Sequence, residues 1–339
     1  MSLLNLLRYK TKKILFTTPS HAGKFFIFHK IYQWYKMDIS EVDAYNPQDA
    51  LLLSEKRASE IYGVKYTKFL TNGSTCGVIA AILASKAKRV LIWDKAHPCH
   101  KNGAKLAGCE IFEYSSEYDE SLGVYKPINE VLLNKYLSDY MPDVVVITSP
   151  TYEGFVVDIE KIMDVCNKHS VKLIVDEAHG ALYPFSDKLP TSAVKFAHYT
   201  IQSLHKTAGG INPTALLHSN DNDPTESLKM INTTSPSYVM LASIEANINF
   251  LNSAKGRRYI ANLIDNIKEL NIPLLNDDPT KIILKKDNLT GFELSQILFD
   301  EFGIEDEKSN DKTVLLLCGV GTTKKMLNKL KNVLSKLGF

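Results

Sequence analysis

The sequence predicts an α/β fold: a mostly parallel central sheet with helices on both faces, followed by a small α+β C-terminal domain. The first observation is that short apolar runs alternate with helical patterns from about residue 51. The second is that Val144–Ile147 and Leu173–Val175 are continuously apolar, as parallel strands buried on both faces should be. The third is a change of pattern after about residue 240, where a long helical stretch leads into two or three strands and a final Lys/Leu helix.

Each element follows from the period of its apolar residues and from the turn residues that bound it. In the first part we expect, in chain order, helix Leu51–Tyr62, strand Tyr66–Leu70, helix Val78–Ser85, strand Arg89–Trp93, helix His97–Leu106, strand Glu110–Tyr114, strand Asp143–Thr148, helix Asp158–His169 and strand Val171–Val175. In the last part we expect a helical stretch over Val239–Leu270, strands Lys281–Lys285 and Thr313–Leu317, and helix Thr322–Leu337. The predicted parts are an N-terminal arm (1–50), a large domain (51–250) and a small domain (251–339).

The composition excludes several classes of protein. A formal net charge of +2 is too small to favour a nucleic acid or an anionic membrane as partner. No apolar run approaches the roughly 18–20 residues that span a bilayer, and the first 13 residues do not resemble a secretory signal. The five cysteines have no metal-binding or redox spacing, so we expect no metal site and a reduced, cytoplasmic location.

An anion site is predicted at Gly73, Ser74 and Thr75, between strand Tyr66–Leu70 and the helix that follows it. A tight glycine turn with two hydroxyl groups at a helix N-terminus presents free N–H groups and the positive end of the helix dipole to a phosphate. An ordinary helix cap is the alternative interpretation of the same residues.

Two further segments point to pyridoxal 5′-phosphate. Asp176 directly follows a buried strand, at the edge where open α/β sheets bind ligands, and an aspartate there can keep the pyridine nitrogen of this cofactor protonated. A metal ligand or a helix cap is the alternative role. Lys206 follows Ser203 and His205 closely and precedes two glycines, which favours a partly desolvated Schiff-base lysine over a solvated surface charge.

These segments together resemble the bacterial ornithine/lysine/arginine decarboxylase family, which has the type I fold of the PLP-dependent transferases. The similar segments are Thr18–Gly23, Asp38–Asp43, Asn72–Thr75, Asp176–Gly180, Ser203–Thr207, Thr233–Tyr238, Leu289–Glu293 and Phe302–Glu307. They extend over nearly the whole chain, and the set is far more specific than any one of its members.

The resemblance implies a role for each matched residue. Lys206 would form the Schiff base, and Asp176 would pair with the pyridinium nitrogen. His179 falls where the family has a residue beside the ring. Ser74, Thr75, Ser203 and His205 would hold the phosphate in this chain's own site. Thr233 or Thr234 would reach the phosphate of a neighbouring subunit, so we expect a homodimer or a dimer-based oligomer with shared active sites.

The histidine that stacks on the cofactor ring has two candidates. His100 is followed by Lys101, as in the family's His-Lys-Ser motif, but the spacing to the flanking strand and to Leu106-Ala107-Gly108 selects His97 without a gap. We therefore predict that His97 stacks on the ring.

The predicted reaction is decarboxylation of lysine, ornithine or arginine. Aminotransferases of this fold usually hold the substrate carboxylate with an arginine of the small domain, and no arginine follows Arg258. A carboxylate leaving as CO2 needs no such clamp. The alternatives are other Cα chemistry on the same cofactor, such as transamination, and a non-catalytic PLP-binding protein.

A basic substrate should place its distal cation near a carboxylate. Glu41, Asp43, Glu305 and Glu307 lie in family-like segments, although a solvated surface position is the alternative for each. The chain departs from the family pattern at Pro98-Cys99, Glu153 and Pro213, which leaves the identity of the amino acid open.

Overall fold

The computed structural model describes residues 49–339, together with Ser2, Leu3, Asn5, Arg8 and residues 36–39. Most of the predicted arm lies outside these residues, as do the segments Thr18–Gly23 and Ser40–Asp43, including Glu41 and Asp43. Leu3 is buried, and its amide donates a hydrogen bond to Glu245 Oε2 at 2.9 Å.

The described helices and strands alternate along most of the chain. The helices are α1 (Asp49–Tyr62), α2 (Gly73–Ser85), α3 (Pro98–Leu106), α4 (Glu130–Tyr140), α5 (Ile159–Lys168), α6 (Thr225–Ile231), α7 (Tyr238–Asn252), α8 (Ala254–Lys268), α9 (Gly291–Phe302) and α10 (Lys324–Lys336). The strands are β1 (Tyr66–Leu70), β2 (Arg89–Trp93), β3 (Glu110–Tyr114), β4 (Tyr118–Asp119), β5 (Val124–Tyr125), β6 (Val144–Thr148), β7 (Lys172–Asp176), β8 (Tyr199–Ser203), β9 (Ala215–Ser219), β10 (Lys281–Leu284), β11 (Lys308–Ser309) and β12 (Val314–Leu317).

The central sheet has seven strands in the order β1-β9-β8-β7-β6-β2-β3. All neighbouring pairs are parallel except those of β9, which runs antiparallel to both β1 and β8. The predicted mostly parallel sheet is therefore confirmed, with one reversed strand that the sequence pattern did not reveal.

Helices cover both faces of this sheet, and each strand contributes alternate side chains to the two apolar layers. On β6, Val144 and Val146 pack with α2 and α3, whereas Val145 and Ile147 pack on the opposite face with α4 and α5. Continuous apolar runs are therefore needed on these strands, because neither face is open to water.

The C-terminal part forms a separate three-stranded antiparallel sheet in the order β10-β12-β11. Its apolar side chains continue without a break into a cluster that includes α7 and α8. The helical stretch predicted over Val239–Leu270 is two helices, because Ser253 ends α7 and its hydroxyl caps α8 by accepting from the amide of Gly256. No helix within the described residues is both long and apolar enough to cross a bilayer.

Candidate active site

A cavity of about 540 Å³ opens where β6, β7 and β8 end at their carboxyl edge. Parallel strands of an open α/β sheet bring ligand-binding residues together at this edge. The sequence-predicted residues that line the cavity are Ser74, Thr75, His97, Asp176, His179 and Lys206. Six residues from four separate segments therefore face one space.

One end of the cavity is the N-terminus of α2. Gly73 has φ +75°, a conformation that glycine adopts readily, and it turns the chain from β1 into the helix. The side chain of Asn72 does not cap the helix, because its amide donates to Asn232 Oδ1 at 2.8 Å. Ser74 and Thr75 line the cavity beside these uncapped N–H groups. The arrangement suits a phosphate-sized anion.

Asp176 forms another wall of the cavity and is fixed on both oxygens. Oδ1 accepts from the amide of Ala178 at 3.1 Å, and Oδ2 accepts from His100 Nε2 at 2.9 Å. Burial raises the pKa of Asp176, but the hydrogen bond and charge of His100 and the charge of Lys206 outweigh it and hold the pKa below its ordinary value. Asp176 is thus an ionised carboxylate beside the cavity.

Lys206 belongs to a single π-helical turn, Leu204–Ala208, that follows β8 directly. Gly209 closes this turn with φ +82°. The Lys206 side chain is partly buried, and this burial lowers its pKa below the ordinary value against the opposing charges of Asp176 and Glu307. A lysine in this state is closer to the neutral amine that attacks a carbonyl carbon.

His179 is the closest hydrogen-bonding partner of the lysine. Its Nε2 lies 3.0 Å from Lys206 Nζ, and its ring meets the Tyr152 ring edge-on with centroids 4.8 Å apart. Burial first, and then the charges of Lys281 and Lys206, hold the pKa of His179 well below its ordinary value. A neutral imidazole can accept the hydrogen bond that Lys206 donates.

The two candidate stacking histidines occupy different places. His97 is the N-cap of α3, is exposed, and lines the cavity; its Nδ1 accepts from the amide of Cys99. His100 is fully buried, lies outside the cavity lining, and contacts Asp176 from behind. The stacking role of His97 stays a prediction. His100 instead holds the carboxylate of Asp176 by a hydrogen bond.

Four predicted residues do not line the cavity. Ser203 is fully buried, and within the described chain its hydroxyl has no hydrogen-bonding partner. His205 Nδ1 lies 3.0 Å from the carbonyl oxygen of Thr214. Thr233 and Thr234 are exposed on the loop after α6 and line no part of this chain's cavity. The phosphate-binding roles predicted for these four residues stay predictions.

The mouth of the cavity contains charged and aromatic residues. Sequence reasoning named Glu307 as a possible partner of the substrate's distal cation but did not assign Tyr152 or Lys308 to the cavity. Tyr152 donates to Glu307 Oε1 at 2.5 Å, and Lys308 lies 2.8 Å from Glu153 Oε1. Both contacts join the loop after β6 to the segment at β11. Tyr118 and Tyr125, from the short β4–β5 hairpin, also line the cavity, and the sequence carried no strong signal for so short a hairpin.

A family model for the major domain of Orn/Lys/Arg decarboxylases matches residues 6–277. The chain belongs to the Orn/Lys/Arg decarboxylase family. The resemblance predicted from the motifs is thereby confirmed. The match includes every cavity-lining residue named above except Lys308, which comes after its end.

Relatives in this family are similar over much of the chain. It is 27% identical to an arginine decarboxylase of Halalkalibacterium halodurans, over 87% of this chain and 66% of that protein. It is 25% identical to an arginine decarboxylase of Bacillus subtilis, with the same coverage of both. The chain thus spans about two thirds of the length of these curated relatives.

Solved structures confirm the predicted type I fold. The chain aligns over 99% of its length with lysine decarboxylase A from Pseudomonas aeruginosa, at a TM-score of 0.86 and 17% identity, covering 59% of that chain. A lysine decarboxylase from Francisella novicida gives a TM-score of 0.85 at 18% identity, with the same coverage of both chains.

Proposed function

We propose that the chain is a PLP-dependent decarboxylase of a basic amino acid, namely lysine, ornithine or arginine, with the cofactor bound to Lys206 as a Schiff base. The observation that carries the proposal is that Lys206, Asp176 and the N-terminus of α2 line one cavity in a member of this family. Each of the three would meet a different chemical group of the same cofactor.

The residues of the cavity fit the phosphate and the pyridine nitrogen of pyridoxal phosphate at separate places. The uncapped N-terminus of α2, with Ser74 and Thr75, would hold the phosphate. The buried Ser203 hydroxyl has no partner within the described residues, which supports the role toward a phosphate oxygen proposed for it. Asp176, kept ionised by His100, would hold the proton on the pyridine nitrogen. When bound, this cofactor supplies an electron sink for cleavage at the substrate Cα.

The protein's own contribution is to orient the substrate and manage charge. Decarboxylation needs the Cα–carboxylate bond perpendicular to the cofactor ring, so binding geometry selects the reaction. No arginine lines the described cavity, which supports a carboxylate that is released rather than held. His97 at the cavity wall would cover one ring face, and Lys206 would occupy the opposite side.

The substrate's distal cation would meet the acidic residues at the mouth. Glu307 accepts a hydrogen bond from the cavity residue Tyr152, and its charge raises the pKa of Lys206. Its charge is therefore felt inside the cavity although its side chain does not line it. Glu153 lines the cavity directly. A pair of carboxylates at the same cavity as the lysine supports a substrate with an ammonium or guanidinium group at its far end.

The test is release of CO2 from carboxyl-labelled lysine, ornithine and arginine by the purified chain supplied with pyridoxal phosphate. We expect release from one of the three, and none from a Lys206→Ala variant measured alongside. Silence of the wild-type chain on all three amino acids would refute the proposal.

One observation favours a second candidate, other Cα chemistry such as transamination. Lys95 and Lys308 line the cavity together with Lys206, and Lys308 pairs with Glu153. This cationic rim would suit a substrate with a neutral or acidic side chain better than a basic one. Conversion of the bound cofactor to its amine form by an amino donor, without CO2 release, would support this candidate.

We further propose a cytoplasmic homodimer, or an assembly of dimers. The support for dimers is that Thr233 and Thr234 are exposed and lie outside their own chain's cavity, as residues serving a neighbour's site would be. All five cysteines are free thiols, as proteins of a reducing compartment usually have.

A further inference from the structure

Lys281, the first residue of β10, carries a charge that is enclosed by the protein and poorly paired. Its side chain is fully buried, and within the described residues its Nζ makes no hydrogen bond. The nearest carboxylate oxygen, Asp278 Oδ2, is 3.8 Å away and already accepts from the Tyr183 hydroxyl at 2.8 Å. Because an unpaired buried ammonium is unfavourable, a lysine at this position needs another use.

The side chain of Lys281 lies directly behind one wall of the cavity. A Cβ atom placed on Gly154 would be 3.0 Å from Lys281 Cδ, so the lysine passes beneath the loop that contains this glycine. Asn276 Nδ2 ties the two segments together, donating to the carbonyl oxygens of Glu153 at 2.6 Å and Lys281 at 2.8 Å. The same loop carries Tyr152, whose ring contacts the ring of His179.

His179 experiences the charge of Lys281 from behind this wall. After burial, the charge of Lys281 is the next largest influence that lowers the pKa of His179, ahead of those of Lys206 and His205. Burial also lowers the pKa of Lys281 itself, to about 8, with Asp278, Glu153 and Glu307 opposing the shift and Lys206 adding to it. Below that pH the amino group is mostly charged.

We propose that Lys281 is a positioning residue whose charge, from behind the cavity wall, adds to the burial of His179 in favouring a neutral imidazole, so that His179 Nε2 accepts a hydrogen bond from Lys206 Nζ. A protonated imidazole donates from both nitrogens and cannot accept, so Lys206 would then face a second cation at 3.0 Å. The lysine of the small sheet thereby sets the state of a histidine in the cavity. The importance of this role rests on the proposed function of Lys206.

The test is the titration of His179 in the full chain after pyridoxal phosphate has been removed, because Lys206 Nζ is a free amine only in that state. The protein is labelled with ¹³C at histidine Cε1, and the His179 signal is assigned by its loss in a His179→Asn variant. The variants are Lys281→Met and Lys281→Gln, which remove the charge, and Lys281→Arg, which keeps it. Lys285→Met, an exposed lysine just after β10, is the matched control.

We expect the titration midpoint of His179 to rise in Lys281→Met and Lys281→Gln, because a cation that opposed protonation is gone. It should stay at the wild-type value in Lys281→Arg and Lys285→Met. An unchanged midpoint in a folded Lys281→Met or Lys281→Gln protein overturns the proposal. Failure of both variants to fold would assign Lys281 a structural role and would overturn it as well.

The titration separates this inference from the proposed function. A rise in the His179 midpoint, in a protein that releases CO2 from none of the three amino acids, supports the role of Lys281 and refutes the decarboxylase. An unchanged midpoint in a protein that does release CO2 refutes the role of Lys281 and supports the decarboxylase.

Discussion

His100 gives Asp176 a fixed orientation before any ligand is present. The imidazole is fully buried and donates from Nε2 to Oδ2, while the amide of Ala178 binds Oδ1. Both carboxylate oxygens are therefore held by hydrogen bonds from within the protein. A charge-assisted hydrogen bond of this kind contributes about 1.5–3 kcal/mol. Asp176 is thus preorganised for a cationic partner.

Removing that hydrogen bond should weaken cofactor binding, most strongly at low pH. Because the pKa of Asp176 is lowered, its carboxylate is ionised above that value and loses its charge as pH falls through it. His100→Phe raises this pKa, so pyridoxal phosphate should be released at a higher pH than from the wild type. The expected loss of affinity is about 10–100-fold, measured as cofactor absorbance retained after desalting across a pH series.

Two variants control for packing and for the loss of a histidine. His100→Gln keeps a donor at this site and should recover part of the affinity. His169→Phe removes a histidine that bonds Asn134 beyond α5, and should retain the cofactor as the wild type does. Equal retention at every pH by His100→Phe and the wild type would contradict the role of His100.

Sequence reasoning could identify Asp176 and Lys206 because each stands in a distinctive local motif. It could not assign His100, because this role depends on a contact between residues 76 positions apart. His100 does lie three residues after His97, which places both near the same side of the helix start. Spacing alone could not show that His97 faces the cavity whereas His100 faces the carboxylate of Asp176. Lys281 was missed because nothing in its segment shows that it is buried.

At the scale of elements, the π-helical turn Leu204–Ala208 determines where Lys206 points. Such turns are short and occur frequently at functional sites. Gly209 ends the turn with φ +82°, and a Cβ added to it would lie 2.3 Å from Val320 Cγ2. The turn is therefore held against the segment between β12 and α10, and a side chain at 209 would displace it.

Gly209→Ala should destabilise the protein more than an alanine at another glycine with positive φ. Gly108 has φ +69°, and no heavy atom lies within 4 Å of an added Cβ, so Gly108→Ala measures backbone strain alone. We expect the free energy of unfolding to fall by about 1–2 kcal/mol in Gly108→Ala. A further 1–3 kcal/mol should be lost in Gly209→Ala, from overpacking.

Denaturant unfolding of the two variants and the wild type makes this comparison. Cofactor absorbance should fall in Gly209→Ala and stay unchanged in Gly108→Ala, because only the former displaces the turn of Lys206. Equal stability of the two variants would show that the contact with Val320 does not hold the turn.

Sequence reasoning found β2, β6 and β7, whose apolar pattern is uninterrupted. It missed β8 and β9 because polar residues interrupt them. Gln202 on β8 donates to Glu177 Oε2, and His218 Nδ1 on β9 lies 3.0 Å from Thr67 Oγ1. These side chains are fully buried and have their partners inside the protein, which the sequence pattern cannot show.

At the scale of the whole molecule, the cavity is open on the side of Thr75 and His97, which are both exposed. Thr233 and Thr234 are exposed as well, on a loop that begins at Asn232, the partner of Asn72. Residues proposed to act on a phosphate are thus left at the surface of a single chain. A second copy that covers this side would complete the site.

Mixed dimers test the shared site directly. A Lys206→Ala chain and a Thr233→Ala/Thr234→Ala chain should each have little activity alone. In a mixed dimer, one of the two sites combines an intact lysine with intact threonines from the other chain. After unfolding and refolding of an equal mixture, activity should return to roughly a quarter of the wild-type value, for random C₂ pairing. The readout is CO2 release per mole of chain, on the amino acid that the wild-type chain decarboxylates.

The control is the same mixture combined without unfolding, where exchange is slow and activity should stay low. No gain on refolding, from variants that refold to the native circular dichroism spectrum, would contradict a shared site. The sequence could predict this arrangement only through the resemblance, because residues of two chains leave no common pattern in one of them.

The reversed strand β9 has a consequence for the order in which the protein is made. Tyr66 on β1 pairs with Ser219 on β9, and within the described sheet β1 has no other neighbour. At roughly 5–20 residues per second, a ribosome needs on the order of ten seconds to reach Ser219 after Tyr66. During this interval β1 and the start of α2 have no strand to hold them, and their apolar side chains are accessible to chaperones. The end of the cavity at the N-terminus of α2 is thus encoded early and assembled late.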